Sequence, residues 1–352
     1  MHGPGWFRSC RSPWSAVVAG VGPGLAALCG AGLLGTVIAA VHHAEVVAHR
    51  VGEPFGTLIL ALSVTVIEAS LILSMMLAGG EHTAVLPRDT IYAAVMIIFN
   101  GVVGVCILVG GLAHHEQTFR VEGAGAGTAA LIVMAALTLV VPVFTTSTPN
   151  GTLSGSQLLF VAATSAALWA IFVFIQTVRH RDYFIPTTAA TDPDVHAGPP
   201  TIRQAWASFG WLLVSLVAVV GLAKMLSPTI ESAVEAAGAP RVVIGIVIAV
   251  LVLLPEGWAA ARAAKANRLQ TSMNLAIGSA IACIGLTVPV VAPAALGFRL
   301  PLILGLEPKD LAMLAITFLV SAVTLATGRT HMMQGAVHIV LFAAFLFLAV
   351  VP

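Results

Sequence analysis

GEPFGTLILALSVTVIEAS, residues 52–70, is an apolar run with a single membrane-depth carboxylate, Glu68, near its far end. GAPRVVIGIVIAVLVLLPEGW, residues 238–258, repeats the pattern with Glu256. Each stretch opens on Gly-x-Pro, continues apolar and closes on a glutamate. Pro54 precedes Glu68 by 14 residues and Pro240 precedes Glu256 by 16. Runs of this kind approach the ~20 residues that cross a bilayer as a helix. A charge at the centre of such a helix costs about 3 kcal/mol on insertion scales. A carboxylate that persists there is expected to face a cavity or pathway and to bind an ion or a proton.

The rest of the chain has the same character. Of 352 residues, 59% are hydrophobic and 9% charged, against about 25% charged in soluble domains. So few charges cannot cover a water-facing surface. Ten apolar segments can be marked, at 21–46, 55–78, 89–112, 125–146, 155–177, 206–226, 240–264, 271–297, 308–328 and 333–351. The expected fold is therefore an all-α membrane protein of about ten transmembrane helices. Residues 1–20 form an N-terminal segment whose Arg8 and Arg11 precede an apolar run. It is read as leading into a retained first helix rather than as a cleaved signal peptide. Cys10, Cys29, Cys106 and Cys283 are far apart and form no CxxC pair, so they read as small packing residues. The net charge of +1 gives no footing for nucleic acid.

The longest polar stretch, 178–205, divides the segments into two sets of five. Its prolines, charges and lack of periodicity mark a linker between residues 21–177 and 206–352. The two glutamates fall on the second segment of each set. Because five is odd, a second set of five must enter the membrane from the opposite side. Two inverted five-helix repeats are the expected architecture, a common one among secondary transporters, whose sites lie near the midplane where the halves meet. Arg50, Arg120, Arg179, Arg181, Arg203, Arg262, Lys265, Arg268 and Arg329 fall on the linker's face. Arg8, Arg11, Arg88, Lys224, Arg241, Arg299 and Lys309 fall on the other. That excess places the linker in the cytoplasm and both termini outside.

Further polar residues surround the pair. Pro255 and Gly257 flank Glu256, and a helix broken there would free backbone carbonyls beside a carboxylate, the oxygen-rich surroundings that hard cations such as Ca²⁺ take. Asn267 lies three helical turns beyond Glu256. Asn274 and Ser279 on the eighth segment are candidate oxygen ligands, and Asn100 on the third echoes Asn274. Gly278 and Gly285 read as close-packing positions. His338, inside the last segment, is a hydrogen-bonded packing residue or a proton relay. His42, His43, Glu45 and His49 form an interface group that would line a way in for cations. No GxxxxGK[ST], HExxH or GxSxG occurs.

Three long stretches carry a family resemblance. HHAEVVAHRVGEPFGTLILALSVTVIEASLIL at 42–73 resembles the first repeat of ChaA-type calcium/proton antiporters of the cation/calcium exchanger superfamily. LLPEGWAAARAAKANRLQTSMNLAIGSAIACIGLTVPVV at 253–291 resembles their second repeat, and TGRTHMMQGAVHIVLFAAFLF at 327–347 their C-terminal end. The resemblance implies inverted five-helix repeats in a bacterial inner membrane and export of Ca²⁺ driven by proton uptake, with Na⁺ or K⁺ as the cation in some relatives. It implies that the essential glutamates are Glu68 and Glu256, followed by Asn274 and Ser279. Members usually have eleven helices rather than ten. Where wider relatives carry Gly-Asn before the glutamate, this chain has SVTVIE and LLPE.

The expected mechanism is competition at one site. A low dielectric disfavours a charged carboxylate, and a second carboxylate nearby disfavours it further. Protons then compete with a cation for Glu68 and Glu256, and alternating access carries each across in turn. Cations, protons and the lipid bilayer are the expected partners, with no cofactor. A membrane-embedded enzyme would need paired aspartates, a Ser/His set or a metal cluster in the membrane, and the sequence offers none of these.

Overall fold

A computed structural model describes residues 23–51, 55–78, 81–185, 200–236, 238, 240 and 242–351. The N-terminal segment 1–20, the Gly52-x-Pro54 sequence and the middle of the polar stretch, 186–199, lie outside the described residues.

Ten long helices follow one another among the described residues. They are α1 Pro23–Val51, α2 Phe55–Ala78, α3 Leu86–His114, α4 Val121–Phe144 and α5 Gly155–Arg179. After the polar stretch come α6 Ile202–Ala236, α7 Val242–Lys265, α8 Leu269–Phe298, α9 Pro308–Ala326 and α10 Met332–Val350. Each apolar segment falls on one of them. Eight are long and apolar enough to cross a membrane, and α7 makes a ninth when its two parts, bent by 52°, count as one span. α2 contributes the apolar stretch Leu62–Leu77. α6 runs furthest past expectation, to Ala236 rather than 226. Lys224 and Glu231 end its apolar run without ending the helix, since both residue types favour helix.

Helices suit this sequence because no water is available in lipid to satisfy a backbone group left open. Their ends are closed locally. At the start of α5, the Gln157 amide donates to Ser154 Oγ, and the Ser154 amide donates to Gln157 Oε1 at 2.9 Å. This reciprocal cap satisfies two of the donors a helix start leaves open.

The third helix of each set lies at the centre. Buried residues make up 78% of the apolar window of α3 and 72% of that of α8, against 22–44% in the other spans. Packing around them is reciprocal. α2 packs on α8, and α7 packs on α3. α5 packs on α8, and α10 packs on α3. The first helices, α1 and α6, pack on each other.

The connections repeat this reciprocity. Between α3 and α4, strand β1 (Glu116–Thr118) pairs antiparallel with strand β2 (Arg329–His331) between α9 and α10, with Gln117 opposite Thr330. Elsewhere the loop after α8 meets the loop after α4. There the Leu304 and Gly305 amides donate to the Gly151 carbonyl at 3.2 and 2.9 Å. Gly151 has φ +69°, and a Cβ on Gly305 would come 2.7 Å from Gly151 Cα. Only glycine fits that crossing.

α3 is not a uniform α-helix. Residues Ile97–Val102 make a π turn, in which the Val103 amide donates to the Ile98 carbonyl five residues back. The turn carries Asn100. α10 lies against it, with Gly104 beneath His338 and Gly101 beneath Phe342.

Candidate functional site

Glu68 and Glu256 are both buried, at 4% and 7% exposed, on the second helix of each set. Both reach the same face of α8. Cys283 Sγ donates to Glu68 Oε1 at 2.8 Å. Ser279 Oγ donates to Glu256 Oε2 in a short hydrogen bond. Ser279 and Cys283 are four residues apart on one helix, so their Cβ atoms are neighbours at about 5–6 Å. Two carboxyl groups that are 188 residues apart in sequence therefore meet on adjacent turns of one central helix.

The local chain explains this geometry. α7 bends by 52° between Leu254 and Glu256, at Pro255. Proline removes the amide donor there and leaves a carbonyl of the preceding turn without its partner. Gly257 lets α3 approach, since a Cβ at that position would come 3.1 Å from Val102. A void of about 10 Å³ adjoins Glu256, lined also by Ile98, Leu253, Ala276 and Ser279. That is near the lower limit for one water.

The remaining candidates are placed elsewhere. Asn274 lies five residues before Ser279, about 140° around α8 and 7–8 Å along it at 1.5 Å per residue. It donates to the Phe184 carbonyl at 2.6 Å and accepts from Gln270 Nε2 at 2.8 Å. Gln270 in turn accepts from the Arg120 amide at 2.6 Å. Asn274 thus fastens the start of the polar stretch to α8 and does not join the carboxylates. Asn267 ends the turn after α7 with φ +60° and accepts from Gln117 Nε2 at 3.0 Å. Its helix has stopped at Lys265, so three turns beyond Glu256 no helical face remains for it to share.

Asn100 is fully buried in a second polar cluster. It donates to Thr317 Oγ1 at 2.9 Å, and its Oδ1 faces His338 Nδ1 at 3.4 Å. His338 Nε2 meets Thr324 Oγ1 at 3.2 Å. His338 is thus engaged at both ring nitrogens inside this buried cluster. His43 lies 3.4 Å from Ser208 Oγ and so links α1 to α6. Gly285 packs as expected, with a Cβ there 2.6 Å from Trp169 Cβ. Gly278 does not, because a Cβ there would meet nothing within 4 Å.

Cys283 is the residue that sequence reasoning missed. Its sequence context suggests a small packing residue, yet its thiol holds one of the two glutamates. The available signal was its place one turn from Ser279. Among the described residues, no three of His, Cys, Asp and Glu converge closely enough to hold a metal ion. The carboxyl groups here are held by hydrogen-bond donors. Chemically, the arrangement offers two buried acids that can each take a proton, or that can together neutralise a cation, with the Ser279 hydroxyl beside them.

Comparison with known proteins agrees with this fold. The family described as sodium/calcium exchanger protein matches residues 21–178 and 207–351. The protein y4hA of Sinorhizobium fredii is 47% identical over 327 residues, covering 92% of this chain and 88% of its own. The sodium-potassium/proton antiporter ChaA of Escherichia coli is 37% identical over 317 residues, covering 90% of this chain and 86% of its own. The solved structure of native YfkE superposes with a TM-score of 0.73 at 19% identity, covering 97% of each chain. The family match spans both sets of five helices and both glutamates, and the chain belongs to the sodium/calcium exchanger family of multi-pass membrane transporters.

Proposed function

We propose that this chain is a cation/proton antiporter that exports Ca²⁺ in exchange for H⁺, with Glu68 and Glu256 binding cation and protons in turn. The carrying observation is that both carboxyl groups lie on adjacent turns of α8, each on its own hydrogen-bond donor. Two carboxylates with one divalent cation are neutral, and so are two carboxylic acids. Either loaded form crosses the low-dielectric interior without a net buried charge. The reciprocal packing of α2 on α8 and α7 on α3 supports two inverted repeats, 21–177 and 206–352; the linker between them, 178–205, is read as cytoplasmic from the excess of Lys and Arg on its face. The bacterial relatives support an inner-membrane location.

A second reading is Na⁺ or K⁺ exchange for H⁺, favoured by the name of the 37%-identical E. coli relative. Under it, one carboxyl keeps its proton while the other binds the monovalent ion, so the loaded site is again neutral. Proton flux in everted vesicles containing the chain separates the two when CaCl₂, NaCl and KCl are added singly. Calcium-driven flux above that of blank vesicles is expected. Flux with sodium or potassium alone selects the second reading, and no cation-dependent flux with any of the three rules out both.

A further expectation follows from the position of Asn274. Asn274→Ala should leave the cation concentration for half-maximal flux unchanged, because that side chain serves Phe184 and Gln270. The same substitution removes two part-buried hydrogen bonds, each contributing about 1 kcal/mol. A several-fold change in half-maximal concentration would return Asn274 to the ion site.

A further inference from the structure

A cavity of about 490 Å³ lies between the ends of α3, α7, α9 and α10 that point away from the linker. That volume falls in the range of small-molecule sites, which combine an apolar wall with a few placed polar groups. Met313, Phe345 and Leu348 supply the apolar wall, and Val242 adds the start of α7. Val242 precedes Glu256 by 14 residues, about 20 Å along α7 at 1.5 Å per residue. The cavity is therefore separate from the carboxylate pair.

Most of its charges are already matched. Arg88 Nε donates to Asp89 Oδ1 at 2.7 Å, and Arg88 Nη1 donates to the Gly305 carbonyl at 3.1 Å. Lys309 Nζ lies 4.0 Å from Glu307 Oε2 and donates to the Leu348 carbonyl at 3.5 Å. Asp310 makes no ion pair among the described residues. Beside it stands Tyr92, which is 1% exposed and whose hydroxyl has no hydrogen-bond partner. A buried hydroxyl left unmatched is disfavoured unless a ligand meets it. The Tyr92 ring packs edge-on against Phe345, with centroids 5.5 Å apart. Among the described residues, no three of His, Cys, Asp and Glu converge here as a metal ion would require. The cavity offers instead a carboxylate without an ion pair, an unengaged hydroxyl and two aromatic rings, which favour an organic cation. A primary ammonium has three N–H donors. The two Asp310 carboxylate oxygens and the Tyr92 oxygen are three acceptors.

We propose that this cavity binds an organic primary ammonium ion, with the ammonium on Asp310 and Tyr92 and a short apolar body against Met313, Phe345 and Leu348. One positive ligand neutralises the one carboxylate left over. Because Val242 and Tyr92 share the wall, an occupied cavity ties α7, the helix of Glu256, to α3.

The test is equilibrium dialysis of the purified, detergent-extracted full chain against radiolabelled n-butylammonium chloride. Saturable binding to one site per chain is expected. n-Butanol lacks the charge and tetraethylammonium lacks N–H donors, so neither should displace the probe from the wild-type chain. Asp310→Asn should weaken binding about ten-fold or more and Tyr92→Phe about three-fold or more, since hydrogen bonds to charged groups outweigh neutral ones. Glu68→Gln should bind as the wild type does. No saturable binding, wild-type affinity in folded Asp310→Asn, or displacement by NaCl at equal concentration overturns the inference. Loss of binding in folded Glu68→Gln also overturns it, by placing the ammonium at the carboxylate pair. Phosphatidylethanolamine carries a primary ammonium and phosphatidylcholine does not. Displacement of the probe by the first lipid alone upholds the site and assigns its ligand to a lipid headgroup. Displacement by neither upholds it for a soluble amine.

Discussion

Glu68→Gln is expected to abolish cation-dependent proton flux, and Glu256→Gln to do the same. Glutamine keeps the length of the side chain and one carbonyl oxygen. It can still accept from Cys283 or Ser279, so the local geometry survives. What it loses is the charge and the exchangeable proton. Removing one partner from a buried charge pair costs about 3–5 kcal/mol, which is a factor of ~10²–10⁴ at 1.36 kcal/mol per tenfold. The measurement is flux in everted vesicles, with size-exclusion of the detergent-extracted variants to show that they are folded. Wild-type flux from either folded variant would remove the two glutamates from the mechanism.

Gly335→Ala is expected to damage the fold rather than the chemistry. A Cβ at 335 would come 2.5 Å from the Leu108 amide nitrogen and 2.8 Å from Leu108 Cα. Both are backbone atoms and cannot rotate away. The same seam is tight at Gly111, where a Cβ would come 2.6 Å from the Met332 amide nitrogen. Helices in lipid associate through such close approach, because lipid tails remove any hydrophobic drive between them. α3 and α10 must therefore part, and His338, three residues on, moves away from Asn100. Overpacking costs about 1–3 kcal/mol, and at about 2–4 °C per kcal/mol the apparent melting temperature falls by several degrees. Gly278→Ala is the control, since its Cβ meets nothing within 4 Å. Equal melting of the two variants would contradict the tight α3–α10 seam.

Much of this was legible in the residues themselves. Long apolar runs fix helices because lipid permits few alternatives, and all ten segments fall on helices. Glu68 and Glu256 stood out because a charge is expensive in such a run. The partners of those glutamates were less legible. Cys283 lies 215 residues from Glu68, and its one-turn spacing from Ser279 becomes informative only once both glutamates are seen to reach α8. Asn274 was drawn toward the site by its amide, but five residues of α-helix turn it away from Ser279. The π turn at Ile97–Val102 has no signature in its sequence. Gly278 and Gly285 are the same residue type seven positions apart on one helix, yet only the neighbour of Gly285, Trp169, gives it a packing role.

The contacts that define this protein also set an order of assembly. Glu68 waits for Cys283, Asn100 for His338, and Gln117 for Thr330. At a synthesis rate of about 5–20 residues per second, the 215 residues between Glu68 and Cys283 take roughly 10–40 s to appear. Once α5 is made at Arg179, the first five helices are complete with a carboxyl group whose final partner has not yet been made. β1 likewise finds its partner strand only when the chain is almost complete. The N-terminal half is thus a set of inserted helices awaiting a template, and the two halves close together late, around a site that neither contains alone.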